Sequence, residues 1–227
     1  MKLMKKWLGV FLLVSGLIIG IYNLSEWHTA TSSAQDLTKE ELSTIQELKE
    51  VAAFKVQDEP IPIADKAPII SLPVKKSEPV LTTSLKQEPG EKTADLLIPE
   101  IGQKYSVYWG ADEKTLEKGV GLFVSDLTTV PGENGHTVLS GHRDTVFTGL
   151  SDLKEQDNLL IEYNGETFVY EITQIWITHE DDRTVIVEKD QSILTLTTCY
   201  PFNFIGYAPD RYIVQAKLIS THETTLK

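Results

Sequence analysis

The chain has 227 residues, 41% of them hydrophobic, a formal net charge of −12 and a single cysteine. That is apolar material for one modest core, and the acidity argues against a nucleic-acid partner, whose phosphates would be repelled. One thiol excludes an intramolecular disulfide framework, so in an exported protein the sulfur is either buried or reactive.

Lys2, Lys5 and Lys6 precede Trp7–Ser25, an uncharged run rich in Leu, Ile, Val and Gly. A helix of that length just spans a hydrocarbon core of ~30 Å. The lysines put its N-terminal end in the cytoplasm and the rest of the chain outside. Residues 1–25 therefore read as a cytoplasmic tip and a single-pass transmembrane signal-anchor in the cell membrane. A cleaved signal peptide is the competing reading, disfavoured because Ser32-Ser33-Ala34, the nearest small-x-small site, lies well beyond the apolar run.

Residues 26–91 read as an extracellular stalk. Thr38 and Glu41 are spaced as a capping box, with Leu42, Ile45, Leu48 and Ala52 on one stripe of a short helix. Pro60, Pro62, Pro68, Pro73, Pro79 and Pro89 follow, interleaved with Lys and Glu. Repeated proline prevents helix and extends the backbone, giving a tether with a reach of about 100 Å if drawn out.

Residues 92–227 carry the pattern of one β-rich domain. Ala94–Ile101 and Lys104–Trp109 are short strand candidates, and Asp112 can cap a helix over Asp112–Gly119. Thr137–Ser140 is an apolar run ending in Gly141, and Val146–Leu153 suggests a helical turn. Asn158–Tyr163 and Thr167–Ile177 flank Asn164-Gly165, a pair that accepts φ > 0 and signals a hairpin. Val185–Val187, Ile193–Thr198 and Arg211–Ile219 complete about eight strands, which suits a barrel or sandwich.

Chemistry concentrates in Ser192–Arg211, SILTLTTCYPFNFIGYAPDR. Ile193, Thr195, Thr197 and Cys199 alternate onto one face, and Pro201, which cannot donate to a ladder, ends the strand with Cys199 at its mouth. A loop follows, and Arg211 opens the next strand. If the two strands lie side by side, a nucleophilic thiol meets a fixed cation able to hold an oxyanion, which is the equipment of acyl transfer. A lone cysteine is otherwise a small buried hydrophobe. Of five histidines, His28 lies beside the apolar helix, His222 in the tail and His179 in an acidic loop. That leaves His136, which otherwise reads as a surface turn residue, and His142; periodicity alone barely separates them.

The string TLTTC, then a loop, then APDRY, resembles the active-site signature of sortases, cysteine transpeptidases of Gram-positive cell surfaces, and TLTTCYPFNFIGYAPDRYIV is most similar to their class D branch. The resemblance runs through roughly Thr93–Ser220 and includes the strand–G-H motif Leu139-Ser140-Gly141-His142, which favours His142 over His136. It implies a mainly β fold: a closed eight-stranded sortase-type β-barrel with short helices, preceded by the transmembrane helix and stalk. It also implies that Cys199 attacks the threonine carbonyl of an LPxT-type sorting signal and that His142 serves as acid, then base. Arg211 stabilises the oxyanion, with the Tyr200 N–H as a second donor; Arg143 is the alternative cation, or else a surface partner of Asp144. The implied partners are surface proteins bearing that signal and a peptidoglycan precursor amine. A cysteine endopeptidase using water as acceptor and a pilin-polymerising sortase remain the alternatives. Val169–Ile177 and the residues before Cys199 are expected to line the substrate groove. No cofactor is required, and no Walker loop, Ser triad or zinc-ligand spacing occurs. Resemblance to class A members adds one expectation, calcium between the acidic loops Asp126–Glu133 and Glu180–Asp182.

Overall fold

The computed structural model describes residues 2–31, 34–57, 79–203 and 206–224. Helix α1 (Lys2–Thr31) leads into strand β1 (Ala34–Asp36) and helix α2 (Lys39–Gln57). Strands β2 (Lys92–Ile98) and β3 (Gln103–Trp109), a one-turn helix α3 (Glu113–Leu116), β4 (Val120–Leu122) and β5 (His136–Ser140) come next. The chain then forms β6 (Asn158–Tyr163), β7 (Glu166–His179), β8 (Ile193–Tyr200) and β9 (Asp210–Glu223).

The strands run β3-β2-β6-β7-β9-β8-β5-β4, and β4 pairs back onto β3, so eight of them close a barrel. Closure satisfies the edge groups that an open sheet would leave bare. Two pairings are parallel, β3 with β4 and β5 with β8; the rest are antiparallel. Alternation along each strand fills the interior: Leu96 and Ile98 from β2, Leu159 and Ile161 from β6, Leu194 and Leu196 from β8, and Val214 and Ala216 from β9 are all fully buried. Burying each of the larger aliphatic side chains stabilises the fold by about 1.5–3 kcal/mol before entropy is counted. Asn164 and Gly165 take φ of 51° and 83°, the left-handed pair that the β6–β7 hairpin needs. Asp112 caps α3 by accepting from Thr115 N.

The strand reading differs from the structure in one place. Val185–Val187 forms no strand; it crosses the outer face of β5 and β8, where the Val187 carbonyl meets a buried imidazole. The eighth barrel strand is instead β4, three residues with a central glycine, too short to show periodicity.

Whether the stalk helix docks on the domain is a question that its stripe leaves open, and the structure answers it. β1 pairs antiparallel with β3, Ala34 opposite Tyr105. The Thr38–Glu41 capping box forms as expected, with Thr38 N donating to Glu41 Oε2 at 2.8 Å and Glu41 N to Thr38 Oγ1 at 3.2 Å. The stripe it opens does not stand free. Leu37 and Ile45, flanked by Leu42 and Leu48, pack on Leu97, Leu160 and Val169 of β2, β6 and β7. Lys104 bridges the seam, at 3.5 Å from Glu41 and 2.9 Å from Glu162. Downstream, Leu81 bridges to Thr129 and the buried Thr82 hydroxyl bonds Thr128. Pro60, Pro62, Pro68 and Pro73 lie outside the described residues. The helix expected over Trp7–Ser25 falls within α1, and its described Leu, Ile, Val and Phe side chains are exposed. Among the described residues no helix is long and apolar enough to cross a membrane.

Candidate active site

Cys199 is the penultimate residue of β8 and pairs directly with Arg211, the second residue of β9. Residues directly opposite in an antiparallel pair hold their Cβ atoms about 5 Å apart on one face. Leu194, Leu196 and Thr198 are turned inward and buried, so Thr197, Cys199 and Arg211 stand on the outer face, all partly exposed. The thiol is free.

His142 reaches the same rim by a different route. β5 runs parallel to β8 with Ser140 opposite Thr197, and continuing that register by two residues brings His142 level with Cys199. Hydrogen bonds hold the continuation: Gly141 N donates to Thr197 O at 3.2 Å and Thr198 Oγ1 to Gly141 O at 2.7 Å. The loop then folds back, with Phe147 N donating to His142 O at 3.0 Å. A Cβ on residue 141 would lie 2.7 Å from Val146 and 2.8 Å from Phe147, closer than packed carbons approach, which is why a glycine precedes the histidine.

Two arginines hold the segment between Cys199 and β9. Arg211 Nη1 donates to the carbonyls of Ala208 and Asp210 at 2.9 and 3.0 Å, and Nη2 to Glu180 Oε2 at 2.9 Å. These bonds leave its Nε–H for another acceptor. Arg143 donates to Pro201 O at 2.8 Å and to Gly206 O at 2.9 Å, clamping the loop after the thiol instead of standing at the surface with Asp144. Tyr200, Phe202 and Tyr212 pack as an aromatic cluster at the root of that loop, with ring centroids 5.0–6.2 Å apart. The sequence singles out Arg143 only as an alternative cation and gives Glu180 no role at Arg211. The only available signal was an acid at the mouth of β7 and a cation next to His142.

His136 is a correction. It is fully buried, not a surface turn residue, under the Arg183–Ser192 segment. Its Nδ1 lies 2.8 Å from Val187 O and its Nε2 2.7 Å from Thr195 Oγ1. A carbonyl only accepts, so Nδ1 carries the proton, and Nε2 accepts from the Thr195 hydroxyl. Gln215 Nε2 in turn donates to that hydroxyl at 3.3 Å. Burial, with Lys189 adding to it against the pull of the Val187 carbonyl, lowers the imidazole to about 4. Above pH 6.5 both folded and unfolded chains are neutral here. Between 6.5 and about 4 the unfolded chain takes up a proton that the folded one refuses, so stability falls with pH by about 3 kcal/mol across that window. Thermal midpoints of wild type and His136→Asn, measured from pH 7.5 to 4, are expected to converge as the pH drops; parallel curves would refute the assignment.

Of the remaining histidines, His179 is exposed beside Asp181 and His222 bonds Ser220, while the His28 side chain lies outside the described residues. β9 lies between β7 and β8, so Val169–Ile177 is one strand removed from Cys199. Acids of the two loops expected to hold calcium are hydrogen-bonded within the protein. Glu180 is engaged by Arg211, Asp182 by Thr178 and Thr184, and Asp126 by Thr83. Among the described residues no three ligand-type side chains converge.

Comparison with known proteins identifies the family. Residues 96–219 match the Sortase domain family. The chain is 34% identical over 218 residues to Sortase D of Bacillus subtilis (strain 168), covering 96% of this chain and all of that one. Among solved structures, the catalytic domain of B. anthracis SrtD is 61% identical with a TM-score of 0.55, covering 62% of this chain and 95% of the other. A Clostridium perfringens Sortase D5 transpeptidase is 32% identical with a TM-score of 0.53, covering 61% and 85%.

Proposed function

The chain belongs to the sortase family and is a cysteine transpeptidase, and on that premise we propose that it cleaves an LPxT-type sorting signal after threonine and joins the protein to a cell-wall precursor amine. Cys199 is the nucleophile. Its thiolate adds to the threonine carbonyl carbon, and the negative oxygen that forms is held by the Arg211 Nε–H and the Tyr200 N–H. His142 gives its proton to the departing amine nitrogen as the C–N bond breaks, leaving a thioester. The acceptor amine then attacks that thioester and yields a proton to His142; the C–S bond breaks and the thiolate returns. α1, with its lysines on the cytoplasmic side, anchors the enzyme in the cell membrane and leaves the barrel outside.

The observation that supports this reading is the pairing of Cys199 with Arg211 at the rim that His142 reaches through the β5–β8 register. The test is mass spectrometry of the protein incubated with LPxTA and LPxTG peptides and candidate amines. The expected result is an acyl adduct on Cys199 and an amide product truncated after threonine. Cleavage elsewhere in the peptide, or cleavage without an adduct, would overturn it.

A further inference from the structure

His142 and Cys199 stand where two parallel strands come apart. Just before them β5 and β8 are tied twice, by Gly141 N donating to Thr197 O at 3.2 Å and Thr198 Oγ1 donating to Gly141 O at 2.7 Å. The backbone ladder stops there. β5 ends at Ser140, β8 ends at Tyr200, and Pro201 has no N–H to donate.

Past the reacting pair a side chain does what the ladder no longer does. Arg143, the residue after His142, donates from Nη1 to Pro201 O at 2.8 Å and from Nη2 to Gly206 O at 2.9 Å. Pro201 follows Cys199 by two positions, as Thr197 precedes it by two. Both reacting residues are therefore bracketed by the same tethers, residue 141 to 197 and 198 on one side and residue 143 to 201 on the other. A planar guanidinium that engages two separate carbonyls fixes direction as well as distance.

We propose that Arg143 is a positioning residue, holding the His142 imidazole where its proton reaches the departing amine. The proposal rests on the reading above in which a peptide amide acylates Cys199. In that step the Cys199 sulfur bonds the threonine carbonyl carbon, His142 gives its proton to the amine nitrogen, and the C–N bond breaks. An aryl ester of the same acyl group makes no such demand, because its C–O bond breaks to release a phenolate that needs no proton. The consequence of losing Arg143 is thus a defect that depends on the leaving group.

The experiment uses the full chain and measures single-turnover acylation by two donors that share one LPxT acyl group, the peptide amide and its nitrophenyl ester. In Arg143→Ala the maximal rate with the amide is expected to fall about tenfold to a hundredfold, as for a reacting group displaced by roughly 1 Å. The rate with the ester should stay within about threefold of wild type, and half-saturation by the amide within about twofold. Arg143→Lys, whose single nitrogen cannot take the place of both Nη atoms, should recover part of the loss; it carries the same comparison if the alanine variant does not fold. A residue that merely stabilised the fold would lower both rates alike, so equal losses would overturn the inference alone, and so would an unchanged rate with the amide. A wild type that the amide never acylates would overturn the sorting-signal reading and the inference with it.

Discussion

Cys199→Ala is expected to abolish peptide cleavage and the acyl adduct while the barrel stays folded. The thiol sits at the end of β8 on the outer face, and its inward neighbours Leu196 and Thr198 carry the local packing. Replacing sulfur by hydrogen removes little buried volume, so stability should shift by about 1 kcal/mol or less. Catalysis has no substitute thiol, because Cys199 is the single cysteine of the chain, and a neighbouring hydroxyl such as that of Thr197 is a far weaker nucleophile near neutral pH. The check pairs a cleavage assay with a thermal melt. Residual turnover above background in a folded variant would mean that the thiol is not the nucleophile.

Arg211→Ala should lower kcat by about 10²–10³-fold, the usual loss for one oxyanion donor. The effect on the fold should be small, since the ion pair it leaves, Glu180, is partly solvated. Lysine is not expected to rescue, because a single ammonium cannot reach the Ala208 and Asp210 carbonyls, Glu180 and the oxyanion together. Glu180→Gln separates positioning from chemistry: it leaves the guanidinium in place but frees its orientation, so kcat should fall by less than in Arg211→Ala. If Arg211→Ala turns over near the wild-type rate, the oxyanion is held by backbone donors or by Arg143.

Local rules carried much of this architecture. Alternation in Ile193–Cys199 put the thiol on the outer face, Pro201 marked the end of β8, Asn164-Gly165 located the hairpin, and Thr38 with Glu41 capped α2 where expected. Each of these is a preference settled within a few residues. What escaped depends on partners distant in the chain. Nothing near His136 announces that the Val187 carbonyl, 51 residues on, will cover it. Likewise a narrow stripe of Leu42, Ile45 and Leu48 does not say whether Leu97, Leu160 and Val169 will meet it. Val185–Val187 has strand-forming residues but no free neighbour to pair with, and tertiary context overrode the propensity.

The pairing of β1 with β3 also changes how far the enzyme can travel. Only three steps of chain separate Thr31, the last residue of α1, from Ala34, which is already hydrogen-bonded into the sheet. At no more than ~3.6 Å per residue, that leash is about 11 Å long. The proline-rich run comes later in the chain than Ala34, so its length adds nothing to that leash. If α1 is held in a bilayer, as proposed above, the barrel stays within that leash of the helix end, and peptide and acceptor have to come to it.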